Sequence, residues 1–248
     1  MRSDLASLAE RQWRDYRAHA PGTLFADPLL SMSLAEAYAL QEAVCKLRTD
    51  EGDRIAGYKV GCTGPGTIAQ LGMAGPIRGF LFESEMRRSG DTLPACAFSN
   101  LAVEAEMALR IGKDGQPEAV FPVIELHNFV FRGMRKTLVE LVANNGLNAG
   151  VVLPPDVQLQ SGCDFPSATR LGININGQCI GTGGLWPLPG GAQASVEWLR
   201  SSLRDYGRTV LSGDLVLAGT PLGLYPVRQG DTVSVDLDGQ ALVECCVT

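Results

Sequence analysis

Two carboxylates alternate with apolar residues in the segment from Leu101 to Ile111. Every odd position of this segment is apolar, so a β-strand would bury that face and present Glu104 and Glu106 side by side on the other. Two adjacent like charges repel, and this raises the pKa of one of them unless a cation or a basic side chain lies close by. The segment therefore indicates either a solvated strand face or a carboxylate pair that binds a positive charge.

A third carboxylate lies in the segment from Val120 to Phe131, where both alternating faces are nearly all apolar. Such a pattern is typical of a strand that is covered on both sides. Glu125 and His127 share one face with apolar side chains, namely Phe121, Val123, Phe129 and Phe131. Because burial of an unpaired carboxylate is costly, Glu125 must be protonated, bound to a metal ion, or paired with a base such as Lys59 or His127.

Three carboxylates without a cluster of cysteine and histidine indicate a site for a hard cation. Oxygen ligands suit Mg²⁺ or Mn²⁺, and the presence of only two histidines in the chain disfavours zinc. Magnesium shares its coordination positions with oxygens of the ligand, so a chelating substrate such as a 2-oxo carboxylate fits this site. We therefore predict an enzyme that uses Mg²⁺ or Mn²⁺.

Two further segments carry residues that could act on an anion. Lys59 lies in a short strand-like run with glycines on both sides, where a lysine is most often a surface residue but could also meet a ligand. If Lys59 faces the carboxylates, it can bind a substrate carboxylate or transfer a proton. The turn after Leu217 contains Gly219 and Thr220 and could present anion donors, although turns of this composition are mostly structural.

The elements that must position these residues are helices followed by strands. Amphipathic helices are predicted over about Asp4 to Ala18 and from Ser33 to Gly52, the second beginning with a capping box formed by Ser33 and Glu36. Helical spacing recurs over Met134–Asn144 and Ala192–Tyr206. This pattern divides the chain into a helical segment, residues 1–54, and a β-rich catalytic domain, residues 55–248.

Dipeptide turn signals identify β-hairpins in the second half of the chain. They are Asp114-Gly115, Asn176-Gly177 and Asp238-Gly239, each between strand-like runs. Strands and helices mix without regular alternation, which is typical of the α+β class.

Composition excludes several partners. A formal charge of -6 and a pI near 5.0 argue against nucleic acid, and no apolar run approaches the roughly 20 residues that span a bilayer. The seven cysteines are scattered without a CxxC pair, as expected of reduced thiols. We therefore expect a cytoplasmic protein with a small-molecule substrate.

Several segments together resemble the fumarylacetoacetate hydrolase superfamily, in particular its branch of 2-keto-4-pentenoate hydratases and 4-oxalocrotonate decarboxylases. The matching segments occur in the family's order and are GYKVGCT at 57–63, QLG at 70–72, GFLF at 79–82, VEAE at 103–106, PVIEL at 122–126, and 212–239. The resemblance implies a mixed β-roll, a divalent ion held by Glu104, Glu106 and Glu125, an active-site lysine at Lys59, and assembly into a homo-oligomer. It also implies substrate contacts at Gly219 and Thr220.

The resemblance implies hydration of a 2-hydroxy-2,4-dienoate from aromatic catabolism to a 4-hydroxy-2-oxo acid, through an enolate chelated by the metal. The alternatives are a hydrolase that cleaves a carbon–carbon bond of an acylpyruvate, then a decarboxylase of a vinylogous 2-oxo acid, then a non-catalytic subunit of a complex. Hydrolytic relatives often pair a histidine with a glutamate near the N-terminus. Here the third residue after His19 is Gly22, which disfavours the hydrolase.

This chain departs from the family pattern at positions that are usually polar. Ile77 stands where the family often has an acidic residue, and Asn148 or Ala149 stands where a serine is frequent. The spacing from Glu106 to Glu125 is also short. We therefore predict that His127 takes an acid–base role in catalysis.

Overall fold

The structure is a computed structural model that describes residues 5–20, 22–26, 30–64, 75–128, 137–155, 160–161 and 165–248. Within these ranges there are four α-helices: α1 (Leu5–Arg17), α2 (Leu34–Asp50), α3 (Leu138–Ala143) and α4 (Gly191–Arg204). The described strands are β1 (Ile55–Gly61), β2 (Ile77–Phe82), β3 (Met86–Arg88), β4 (Thr92–Leu93), β5 (Leu101–Ile111), β6 (Pro117–Asn128), β7 (Asn148–Leu153), β8 (Gln160–Ser161), β9 (Leu171–Ile175), β10 (Gln178–Gly183), β11 (Leu215–Leu217), β12 (Tyr225–Pro226), β13 (Thr232–Leu237) and β14 (Gln240–Val247). The predicted α+β class is confirmed.

The strands form two mixed sheets. The larger has the order β2-β1-β11-β5-β6-β7-β3, with β12 also pairing β5 and β8 pairing β6, and the smaller has the order β10-β9-β13-β14-β4. The three predicted turns join β5 to β6, β9 to β10 and β13 to β14 as antiparallel hairpins, which confirms those predictions. Most neighbouring strands of the large sheet are antiparallel, and β1 with β11 and β3 with β7 are its parallel pairs.

The two faces of the large sheet pack against different partners. The odd positions of β5 lie in one apolar core with residues of the smaller sheet and of α4, including Ile173, Val235 and Leu199. The opposite face carries a second cluster formed by Leu81, Ala108, Phe121, Val123, Val151, Leu215 and Leu217. Burial on both faces is what the near-continuous apolar pattern of β6 predicted.

The N-terminal helices share a third apolar core with α3, Ile77 and Leu147. Helix α2 begins after Ser33 with the predicted capping box, which is thereby confirmed. Helix α3 begins at Leu138 after a second capping box, formed by Thr137 and Glu140. The earlier start predicted for this helix, at Met134, lies outside the described residues, as does Asp4.

The helical segment is not isolated from the strands. Gln41 of α2 donates hydrogen bonds to the carbonyls of Arg78 and Val142, at 3.0 and 2.8 Å. The division into residues 1–54 and 55–248 therefore stays a proposal. None of the described helices has the length and apolar character needed to cross a bilayer.

Candidate metal centre

The β5–β6 hairpin brings the predicted carboxylates onto one face of the large sheet. Glu104 lies directly opposite Glu125, and Glu106 lies opposite Val123, next along the same face. Glu125 is fully buried and Glu106 is 1% exposed, whereas 17% of the side-chain surface of Glu104 is accessible. The alternative of a solvated strand face is therefore wrong, and the three carboxylates form a buried cluster.

Glu125 has a different set of partners at each of its oxygens. Its Oε1 lies 2.7 Å from Lys59 Nζ and accepts a hydrogen bond of 2.8 Å from Asn148 Nδ2. Its Oε2 faces His127 Nε2 at 3.2 Å. Burial opposes ionisation of this carboxyl, but Lys59, His127 and the amide of Asn148 together hold its pKa well below the ordinary value. Glu125 is therefore a carboxylate.

Lys59 is buried at 2% exposure, so the surface position that is usual for such a lysine is wrong for this chain. Its ammonium donates a hydrogen bond to Gly146 O at 3.1 Å in addition to its contact with Glu125. Burial lowers the pKa of Lys59, but the carboxylates of Glu125, Glu104 and Glu106 raise it above the ordinary value. Lys59 is therefore a charged ammonium inside the site.

The glycines around Lys59 leave room for its own side chain and for neighbouring backbone. A Cβ on Gly61 would lie 2.9 Å from Lys59 Cε, and one on Gly79 would lie 2.6 Å from Asn145 O. Ile77 pairs with Gly61 on the neighbouring strand and is buried. The wall beside Lys59 is thus apolar at this position.

A left-handed turn connects α3 to β7 and supplies two contacts to the site. Asn145, Gly146 and Leu147 all have positive φ, at 56, 61 and 67°, a conformation that is uncommon for residues other than glycine. The amide of Asn145 bonds both backbone groups of Phe80 and so fixes the turn to β2. Gly146 then presents its carbonyl to Lys59, and Asn148 its amide to Glu125.

Glu106 is held by the turn that follows β11. Gly219 N donates a hydrogen bond to Glu106 Oε2 at 3.2 Å. Burial, and then the charges of Glu125 and Glu104, raise the pKa of Glu106 well above its ordinary value. Without a further positive charge, this third carboxyl is thus kept protonated by its two neighbours.

Only glycine fits at position 219. Its φ is +89°, and a Cβ there would lie 2.6 Å from Thr63 Cγ2. Thr220 uses its hydroxyl to donate to Ala105 O at 2.6 Å and to accept from Leu222 N at 3.0 Å, so it fastens the turn to β5. Contact of Gly219 and Thr220 with a substrate stays a prediction.

His127 lies between two carboxylates at the end of β6. Its Nε2 is 3.2 Å from Glu104 Oε2 and 3.2 Å from Glu125 Oε2. Burial lowers its pKa, but the charges of Glu125 and Glu104 raise it above the ordinary value. The acid–base role predicted for His127 stays a prediction.

The described residues fit a divalent cation. With all three carboxyls ionised and Lys59 charged, two negative charges would remain at the site, and a dication would balance them. Glu125 Oε2 is buried with no aligned hydrogen-bond donor among the described residues, so this oxygen could serve as a metal ligand. One ligand atom each from Glu104, Glu125 and His127 lie within 4.8 Å of one another. This cluster could hold a metal ion and shares Glu104 and Glu125 with the predicted ligands, and the full set of Glu104, Glu106 and Glu125 stays a prediction.

Sequence patterns identified the charged residues of this centre and missed the residues that hold them. Asn148 was noted only as a departure from the family, and the backbone groups of Gly146 and Gly219 were not assigned to the carboxylates or the lysine. The run of asparagine and glycine at 144–150 is a signal for an unusual turn. This signal does not reveal that the turn contacts Lys59 and Glu125.

Known proteins resemble the chain over nearly its whole length. A 2-keto-4-pentenoate hydratase of Burkholderia vietnamiensis is 27% identical over 261 residues, covering 99% of this chain and 99% of the relative. A 2-keto-4-pentenoate hydratase 1 of Dechloromonas aromatica is 28% identical, covering 94% of this chain and 92% of its own. No family model matches the chain.

The fold matches that of 4-oxalocrotonate decarboxylase from Pseudomonas putida G7, solved with magnesium and adipate. The TM-score is 0.86 at 20% identity, with 100% of this chain and 98% of the other covered. The fold is therefore of the fumarylacetoacetate hydrolase-like class, and the buried carboxylate centre could hold a metal ion. Within that class, the resemblance to the branch of 2-keto-4-pentenoate hydratases and 4-oxalocrotonate decarboxylases is confirmed.

Proposed function

We propose that the protein is a hydratase that converts a 2-hydroxy-2,4-dienoate to a 4-hydroxy-2-oxo acid with the help of Mg²⁺ or Mn²⁺. The observation that carries this proposal is the buried cluster of Glu104, Glu106 and Glu125 with Lys59 at its edge. The names of the sequence relatives support the same activity.

Glu104, Glu106 and Glu125 are the residues that would hold the cation. When bound, the cation would supply positive charge to the carboxylate and 2-oxo oxygens of the substrate and so stabilise developing enolate charge. Gly219 would orient Glu106 through its backbone N–H, and Asn148 would orient Glu125. These two hydrogen bonds would hold the carboxylates of Glu106 and Glu125 in the orientation that the cation requires.

Lys59 has the position and charge of a proton donor. In the proposed reaction the 2-hydroxyl of the dienol loses a proton while C5 gains one, and water then adds its hydroxyl to C4 and a proton to C3. An ammonium held at 2.7 Å from Glu125 Oε1 can deliver a proton to carbon and recover one through that carboxylate. The apolar wall at Ile77 offers no acid–base group of its own, so we assign the proton transfers to Lys59.

The test is a comparison of three substrate classes with Mg²⁺. A hydratase bleaches the conjugated absorbance of 2-hydroxypenta-2,4-dienoate without releasing carbon dioxide, and EDTA abolishes the activity. Release of pyruvate from an acylpyruvate would show a hydrolase instead, and release of carbon dioxide from a vinylogous 2-oxo acid would show a decarboxylase. Absence of all three activities in metal-loaded protein would support the non-catalytic subunit.

Assembly and location belong to the same proposal. We expect a homo-oligomer in the cytoplasm, acting on a small 2-oxo acid from aromatic catabolism and binding neither nucleic acid nor membranes. Light scattering on purified protein measures the oligomeric state, and a monomer at micromolar concentration would contradict the expectation.

A further inference from the structure

We propose that His127 is itself a ligand of the metal centre through Nε2, so that the cation is bound by nitrogen as well as oxygen. This inference rests on the proposed metal site and adds a residue to the three predicted carboxylates. It replaces the acid–base role that the sequence favoured for His127 with a fixed place in the coordination shell.

The distances around His127 suit a shared ion. Its Nε2 lies 3.2 Å from both Glu104 Oε2 and Glu125 Oε2. Neighbouring ligands of an octahedral cation with bonds of about 2.1 Å are about 3.0 Å apart, so this spacing is that of adjacent corners of one coordination shell. The register of β5 and β6 sets the arrangement, because Glu104 lies opposite Glu125 and His127 is two residues further along β6.

The hydrogen-bonding state of these atoms supports the same conclusion. Nε2 is close to two carboxylate oxygens, but neither is aligned with a ring N–H, and neither ring nitrogen nor Glu125 Oε2 has an aligned hydrogen-bond partner among the described residues. His127 is 4% exposed and Glu125 is fully buried, so water does not replace the missing partners cheaply. When the ring is neutral, Nε2 and Glu125 Oε2 are two lone-pair atoms that converge 3.2 Å apart, as adjacent ligands of one ion do.

The other oxygen of Glu125 is already committed elsewhere. Oε1 contacts Lys59 Nζ and Asn148 Nδ2, which fixes the carboxylate plane and leaves Oε2 turned toward His127 and Glu104. Lys59 and Asn148 thus contact one oxygen of Glu125, and the three candidate ligand atoms meet at its other oxygen. His127 is therefore placed as a ligand by the same contacts that position Glu125.

An imidazole ligand changes the metal preference of the site. Imidazole favours later first-row metals over magnesium, and affinity rises from Mn²⁺ to Co²⁺. We expect the protein to bind Co²⁺ and Mn²⁺ more tightly than Mg²⁺. Replacement of His127 by leucine should reduce Co²⁺ affinity by about 10–100-fold, with a smaller effect on Mg²⁺.

Pulsed electron paramagnetic resonance of the Mn²⁺-loaded wild-type protein tests the inference directly. The chain has only two histidines, so incorporation of ¹⁵N-histidine labels just His19 and His127. We expect a nitrogen coupling from a bound imidazole that changes from the ¹⁴N to the ¹⁵N pattern on labelling. The coupling should persist in His19→Gln and disappear in His127→Leu and His127→Gln. Two substitutions of His127 are used so that the test does not depend on the folding of one variant.

The outcomes separate this inference from the proposed function. Bound Mn²⁺ without histidine coupling would overturn the role of His127 and leave the carboxylate site intact. Failure of the wild-type protein to bind Mn²⁺, measured from the signal of free Mn²⁺, would overturn both the inference and the metal-dependent activity. A coupling that disappears in His19→Gln would show that the bound imidazole is that of His19, and this would also overturn the inference.

Discussion

Lys59 Nζ lies 2.7 Å from Glu125 Oε1, although their strands, β1 and β6, are separated by β11 and β5 in the large sheet. The contact joins the start of the β-rich region to the end of β6 that lies away from the hairpin turn. Both side chains are almost completely buried, so each depends on the other for charge compensation.

Replacement of Lys59 by methionine should destabilise the fold, because it removes the positive charge that contacts Glu125. The variant removes the ammonium beside Glu125 Oε1 and leaves the buried carboxylate with only His127 and Asn148, and we expect the free energy of unfolding of the metal-free protein to fall by about 3–5 kcal/mol. Chemical denaturation measures this loss, and Lys113→Met at an exposed turn is the matched control.

The same variant also tests the proton-transfer role of Lys59. Proton exchange into a bound 2-oxo acid, followed by NMR, should slow far more than the binding of oxalate weakens. Equal losses in exchange and in oxalate affinity would show that Lys59 anchors the substrate and does not transfer the proton.

Replacement of Gly219 by alanine should weaken metal binding without direct contact to the ion. The new Cβ would meet Thr63 and displace the backbone N–H that holds Glu106. We expect metal affinity to fall by about 10–100-fold, as for other residues that orient a ligand. Calorimetric titration with Mn²⁺ measures the change.

Gly177→Ala is the control that isolates backbone strain. Its φ of +75° is as unfavourable for alanine, but no atom lies within 4 Å of the added Cβ. Both variants should lose about 1–2 kcal/mol of stability from the left-handed conformation. Only Gly219→Ala should lose metal affinity, and equal metal affinities in the two variants would remove Gly219 from the site.

Buried thiols should make stability depend on pH in the alkaline range. Burial raises the pKa of Cys45 to about 11 and that of Cys245 to about 12, from 9.0. The folded protein binds these protons more tightly, so their stabilising effect is complete below about pH 9. It is lost as pH rises toward 11, by about 2 kcal/mol per thiol.

Denaturation at pH 8 to 11 measures this effect. The double variant Cys45→Ala/Cys245→Ala should lose less stability across that range than the wild type or Cys96→Ala, which changes an exposed thiol. Parallel curves for all three proteins would contradict the prediction. At pH 8, alkylating reagents should label Cys96, Cys179 and Cys246 well before the two buried thiols, as peptide mass spectrometry can show.

Local patterns predicted those parts of the site that depend on one hairpin. Alternation placed Glu104 and Glu106 on one face of β5, and the Asp114-Gly115 turn joined β5 to β6 with Glu104 opposite Glu125. The same logic identified the capping box of α2 at Ser33 and Glu36. Each of these features is encoded within about 25 residues of sequence, where periodicity and turn chemistry act.

Contacts between distant segments were not predicted, because periodicity contains no information about them. Burial of Lys59 follows from the parallel pairing of β1 with β11, more than 150 residues later in the chain, and the sequence favoured a surface lysine. Asn148 reaches Glu125 through an irregular register between β6 and β7 after three residues of positive φ. The contact of Gly219 with Glu106 likewise depends on the pairing of β11 with β5.

Metal titration of Glu106→Gln tests the central claim most directly. Glutamine keeps the size of the protonated side chain and removes its ability to bind a cation, so the fold should be unchanged while metal-dependent activity is abolished. We predict that the wild-type protein and the exposed control Glu244→Gln bind one Mn²⁺ per chain, and that Glu106→Gln binds it at least about 10-fold more weakly. Wild-type affinity in Glu106→Gln would contradict a metal centre built on Glu104, Glu106 and Glu125.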